Sequence, residues 1–139
     1  MKNTFRIAML APAVVLLSAA SAFAQTPTMR VHIPFAFAAG ESRLPAGDYR
    51  ISMDPTFHRF LVEREGGSAI YLLAQRTSHH SQEDRGALMF DKYGDRYFLR
   101  TVATAGDSRR FEWPVSRAER EMASTGTPVE VAFVRAASR

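Results

Sequence analysis

The residue types best suited to chemistry lie in one polar stretch, where His79 and His80 are followed by Glu83 and Asp84. Imidazoles and carboxylates on one loop could ligate a divalent metal, and a bound metal could activate water for hydrolysis. Zinc sites, however, are built on spacings such as H-x-x-x-H or paired C-x-x-C, which bring the ligands to one side of a helix or turn. H-H-x-x-E-D is neither. We therefore read Gln75 to Arg85 as a solvated loop, with no metal and no cofactor expected. An acyl-transfer enzyme needs a nucleophile, a base and an oxyanion hole. No G-x-S-x-G occurs, and Gly67-Ser68-Ala69 falls at a predicted hairpin rather than a strand-to-helix elbow. Asp91 and Asp95 flank Tyr93 and evoke the paired carboxylates of glycoside hydrolysis. Strand phase instead makes Asp95 a turn residue and Asp91 solvent-facing. Glycine motifs for phosphate are absent too. The sequence points away from an enzyme.

A binding surface is easier to place. Met89, Tyr93, Arg96, Phe98 and Arg100 share one face of a predicted hairpin, an arginine–aromatic set suited to a partner. The competing expectation, which we favour, is that a helix over Ser116 to Ala123 covers Phe98.

These residues must be positioned by an all-β framework. Val31, Ile33, Phe35 and Phe37 alternate with polar or small residues, and Pro34 assigns that strand to an edge or a bulge. Asp48 to Met53 follows the turn Leu44-Pro45-Ala46-Gly47. Arg59 to Arg64 and Ser68 to Ala74 form a hairpin around Glu65-Gly66-Gly67. The unbroken apolar run Ile70 to Leu73 predicts a central strand covered on both faces. Ala87 to Tyr93 and Arg96 to Ala103 flank Gly94-Asp95, a type II′ hairpin signal. That register pairs Met89 with Arg100 and Leu88 with Thr101, and it turns Leu88, Phe90, Tyr97 and Leu99 to the core.

Ser116-Arg117-Ala118-Glu119 fits a capping box, opening a short helix whose Val115, Ala118 and Met122 stripe is expected to dock on the sheet. Val129 to Val134 is the last strand. The pattern predicts a mainly β domain, a small antiparallel β-barrel or β-sandwich of about seven strands with one short α-helix in the C-terminal half.

Length and composition set the setting. Lys2 and Arg6, the apolar run Ile7 to Ala20, and Ala22-Phe23-Ala24 make an export signal over residues 1–24, cleaved before Gln25. The run is short of the roughly 20 apolar residues that span a bilayer, so membrane contact is expected only during export. The destination is the periplasm or the medium. A single mature domain over residues 25–139 remains. With no cysteine it cannot be a lipoprotein or a disulfide scaffold. Losing Lys2 and Arg6 takes the basic residues from 18 to 16 against 14 acidic ones, a net charge of +2. The arginines are scattered among carboxylates, so nucleic acid is not an expected partner.

Leu44-Pro45-Ala46-Gly47-Asp48-Tyr49, Tyr93-Gly94-Asp95-Arg96-Tyr97-Phe98-Leu99 and Ser116-Arg117-Ala118-Glu119-Arg120-Glu121 together resemble a group of short exported proteins of Acidobacteria. That resemblance spans nearly all of the mature chain and implies export. It carries no activity and no site residues. Here Trp113 stands where the group has leucine before the helix.

Three readings follow in order. The first is a non-enzymatic exported β-domain that binds a small apolar ligand or an envelope protein. The second is an interaction module using the arginine–aromatic face, and the third is a metal-assisted hydrolase at His79 and His80. An enclosed apolar cavity would favour the first, and a filled interior the second.

Overall fold

The computed structural model describes residues 28–54, 56–77, 86–105 and 110–137. The expected export signal, and the candidate ligands His79, His80, Glu83 and Asp84, lie outside the described residues. Two sheets pack face to face as a sandwich, not as a closed barrel. The first has the order β1–β4–β5–β6, from β1 (Thr28–Ile33), β4 (Gly47–Asp54), β5 (Arg59–Arg64) and β6 (Ala69–Leu73). The second has the order β11–β8–β9–β10–β7, from β11 (Val129–Arg135), β8 (Ala87–Tyr93), β9 (Arg96–Ala103), β10 (Arg110–Glu112) and β7 (Gln75–Thr77). The short hairpin of β2 (Phe37–Ala39) and β3 (Ser42–Leu44) joins this second sheet, and α1 (Arg117–Ser124) is the one helix among the described residues.

Alternation in the sequence becomes alternation in burial. Val31 and Ile33 of β1, Tyr49, Ile51 and Met53 of β4, and Phe60 and Val62 of β5 are buried, with their neighbours turned outward. The second sheet answers with Phe37, Leu88, Phe90, Leu99, Val102 and Phe111. Aromatic edges meet faces across the gap. Phe37 lies 5.4 Å from Tyr49, and Phe60 lies 5.1 Å from Phe111 and 5.3 Å from Trp113. Such pairs add about 1 kcal/mol each beyond the area they bury.

The Leu-Pro-Ala-Gly-Asp-Tyr motif has a structural reason. Tyr49 is 1% exposed, and its hydroxyl donates to the Pro45 carbonyl 2.5 Å away, tying the strand to the turn that feeds it. Burial raises the pKa of this phenol, although the Arg64 charge pulls the other way. It remains a donor at neutral pH.

Several expectations need correction. The run predicted as one strand from Arg30 is two, β1 and β2, because the chain crosses between sheets after Pro34. β1 is indeed an end strand, as Pro34 implied. β2 pairs with β9 in parallel, at Phe37–Tyr97 and Ala38–Phe98, so the second sheet is not wholly antiparallel. β6 is not central. It ends the first sheet among the described residues, with Tyr71 69% and Leu73 71% exposed. The Gly94 hairpin keeps its predicted pairing from Tyr93–Arg96 to Phe90–Leu99. A bulge then intervenes, so Met89 faces Thr101 and Leu88 faces Val102, leaving Arg100 as the extra residue. Leu88, Phe90 and Leu99 reach the core, but Tyr97 is only half-buried, stacked on Phe35 at 3.8 Å.

Candidate functional site

The bulge at Arg100 decides the fate of the predicted arginine–aromatic face. A bulge re-aims the extra side chain. Here the Arg100 guanidinium donates to Asp91 Oδ2 at 2.7 Å, to the Trp113 carbonyl at 3.0 Å, and to Glu119 Oε1. Trp113 returns a backbone N–H to the Arg100 carbonyl at 3.0 Å, locking β9 to the segment that enters the helix. Glu119 is 3% exposed, and its backbone N–H donates to the Ser116 hydroxyl, the expected helix cap.

Helix α1 therefore docks through a largely buried ion cluster, not through an apolar stripe. Val115 is 40% exposed, and Ala118 and Met122 are only half-buried. Asp91, expected to face solvent, is a half-buried partner of Arg100 instead. Burial and the neighbouring Asp91 carboxylate raise the pKa of Glu119, and Arg100 offsets them only in part. Burial opposes the Arg100 charge, yet Asp91 and Glu119 keep it protonated.

The five expected surface residues thus divide. Tyr93 and Phe98 are buried with rings 5.9 Å apart, Arg100 is consumed by its ion pairs, Met89 is half-buried, and Arg96 alone is exposed. Tyr93, Arg96 and Phe98 lie together, the Arg96 guanidinium 5.9 Å from the Phe98 ring centroid, while Arg100 turns to Glu119 of α1. Phe98 is covered, 3% exposed, and what joins α1 to this hairpin is the Arg100–Glu119 pair.

An exposed arginine–aromatic cluster exists elsewhere. Asp54 ends β4, and its Oδ1 accepts the backbone N–H of Thr56 at 3.0 Å and of Phe57 at 3.3 Å. Its Oδ2 accepts from Arg59 Nη2 at 3.3 Å. Desolvation would raise the pKa of this carboxyl, but these bonds together hold it below its usual value. The turn they fix carries His58 in a left-handed conformation, φ 49°, and it projects Phe57, which is 62% exposed.

Arg59 then lies between two rings, 4.8 Å from the centroid of Phe57 and 5.8 Å from that of Tyr71. Leu73 is the cross-strand partner of Arg59, and Leu61 that of Tyr71. Phe57, Arg59, Tyr71 and Leu73 thereby make one outward patch on the β5–β6 pair. Sequence reasoning missed it because an unbroken apolar run conceals which of its faces is wet. The readable signal was Asp54, a side chain suited to closing its own turn two residues on.

A second feature is an open groove of about 190 Å³ whose lining includes Phe35, Arg43, Arg96, Tyr97 and Ala118. Among the described residues, no group of three His, Asp or Glu side chains could hold a metal ion. Comparison of the chain with protein-family models, with curated proteins and with solved structures finds no match. Function must therefore be read from the surface itself.

Proposed function

We propose that this is an exported, non-enzymatic binding domain whose partner is another protein of the cell envelope, met at Phe57, Arg59, Tyr71 and Leu73. The observation that carries this reading is Arg59 held between two exposed rings on a rigid strand pair. Tyrosine and arginine dominate binding hot spots, and a side chain already oriented loses less entropy on binding. The core supports the same choice, because the space between the sheets is occupied by interlocking aromatics such as Phe60, Phe111 and Trp113.

The test is a photo-crosslinking residue placed in living cells. At Tyr71 it is expected to capture a discrete envelope protein, and at the exposed Glu41 it is not. Equal capture from both positions, or none from Tyr71, would refute the reading. Export is checked separately by intact mass, which is expected to give a chain beginning at Gln25. A chain retaining Met1 in the membrane fraction would overturn that part.

A small-ligand reading keeps one specific support, the groove beside the stacked Phe35–Tyr97 pair. Its volume of about 190 Å³ is below the usual 300–1,000 Å³ of ligand pockets, so it ranks second.

A further inference from the structure

Five strands end the two sheets among the described residues, β1 and β6 in the first and β3, β7 and β11 in the second, and they are not equally protected. An open edge offers unpaired N–H and C=O groups to any other strand, so edges are normally blunted by charge, proline, a bulge or shortness. β1 carries Arg30 and His32 outward and runs into Pro34. β3 and β7 have only three residues each. β11 follows Pro128, carries Glu130 in an ion pair with Lys92, and is tied at its far end to β1 by the Ala137 N–H on the Arg30 carbonyl, 3.0 Å. β6 has none of these devices. Ala69-Ile70-Tyr71-Leu72-Leu73 contains no charge and no proline, and it pairs with β5 in unbroken register.

We infer that the free edge of β6 pairs with β6 of a second copy of this chain, forming a two-fold dimer. Such pairing uses the edge of the strand, whereas the envelope partner is met on the outer face of the sheet, so neither requires the other. The strand is complementary to itself when run antiparallel about Tyr71. Ala69 then meets Leu73, Ile70 meets Leu72, and Tyr71 meets Tyr71 of the second copy.

No like charges oppose in that register, and Ala69 faces the larger Leu73. On the inner face, half-buried Ile70 and buried Leu72 extend the core across the axis. On the outer face, Arg59 lies beside Leu73 at one end and Glu63 beside Ala69 at the other. Antiparallel pairing therefore sets Arg59 of each copy in the same cross-strand row as Glu63 of the other. Two four-stranded sheets become one continuous sheet, a closed symmetric solution for an isologous edge.

Five residues cover far less than the ~800 Å² per partner of a standard interface, so the dimer is expected to be weak. Sedimentation equilibrium of the purified protein between about 10 μM and about 1 mM should follow a monomer–dimer isotherm. Amide-exchange protection of residues 69–73 should rise over the same range.

Tyr71→Lys sets two ammonium groups face to face across the axis and is expected to weaken the dimer by at least about tenfold, with unchanged melting. Leu73→Lys, a second exposed site, should act in the same direction. Phe133→Lys, on the exposed face of β11, should leave the isotherm alone. A monomer at every concentration would overturn the inference. So would a dimer indifferent to both β6 variants, or one dissolved by Phe133→Lys. Arg59→Ala separates the two readings, because it should abolish envelope-protein crosslinking while leaving dimerisation within about twofold.

Discussion

Replacing Arg100 by leucine tests the most unusual element of the fold. The guanidinium satisfies Asp91, Glu119 and the Trp113 carbonyl together, and the side chains of Arg100, Asp91 and Glu119 are only 18%, 18% and 4% exposed. Arg100→Leu leaves two carboxylates and a carbonyl without their donor. Breaking a buried ion pair from one side costs about 3–5 kcal/mol. Leucine fills part of the lost volume, and Glu119, its pKa already raised by burial, can take up a proton. We therefore expect the low end, about 3 kcal/mol at neutral pH. In a domain of this size that lowers the melting temperature by about 10 °C.

The assay is thermal and urea unfolding of wild type, Arg100→Leu, and Arg100→Leu combined with Glu119→Leu. Removing the stranded carboxylate should recover about 1 kcal/mol or more, because the uncompensated charge is the main loss. The deficit of the single variant should shrink on acidification, as Glu119, its pKa raised by burial, protonates. A loss under about 1 kcal/mol, or no recovery in the double variant, would mean that α1 is held by something other than this cluster.

Acidification has two opposed effects in the wild type. The lowered pKa values of Asp54 and Glu130 give stability that is present above their unfolded values and lost as pH falls through the folded ones. Glu119, raised by burial, gives stability that is lost as pH rises through its folded value, so Glu119→Gln should flatten the neutral side of a pH–stability profile. Gly94 has φ 58°, and a Cβ at that position would meet no other atom within 4 Å. Gly94→Val should therefore cost about 1 kcal/mol of backbone strain without a clash, read by denaturant unfolding. Ser116→Ala should cost about 1 kcal/mol through loss of the cap. Met122→Ala, at a half-buried position, should cost about 1 kcal/mol or less, short of the roughly 2 kcal/mol a core methionine would lose; thermal melts compare the two.

What could be read from the sequence was whatever depends on neighbours along the chain. Alternation gave the inward residues of β4 and β5, Gly94-Asp95 gave the hairpin, and Ser116 gave the helix start, because each signal and its consequence lie within a few residues. What could not be read depends on contacts between distant segments. The bulge that frees Arg100 is visible only once Trp113 and Glu119 are beside it, 13 and 19 residues away. Glu119 read only as the carboxylate of a capping box, since nothing local says that its partner is in β9.

The same logic relocates the search for function. Leu44 to Tyr49 is held by the Tyr49–Pro45 hydrogen bond, and Tyr93 to Leu99 is joined to Ser116 to Glu121 through Arg100. The most distinctive motifs thus act as joints of the fold. The binding face proposed above lies outside those motifs. Phe57, Arg59, Tyr71 and Leu73 hold up no core, yet Asp54 and the β5–β6 register hold them in place. Exposed apolar area fixed this firmly costs solubility and contributes nothing to folding, which is the physical reason to look there for a partner.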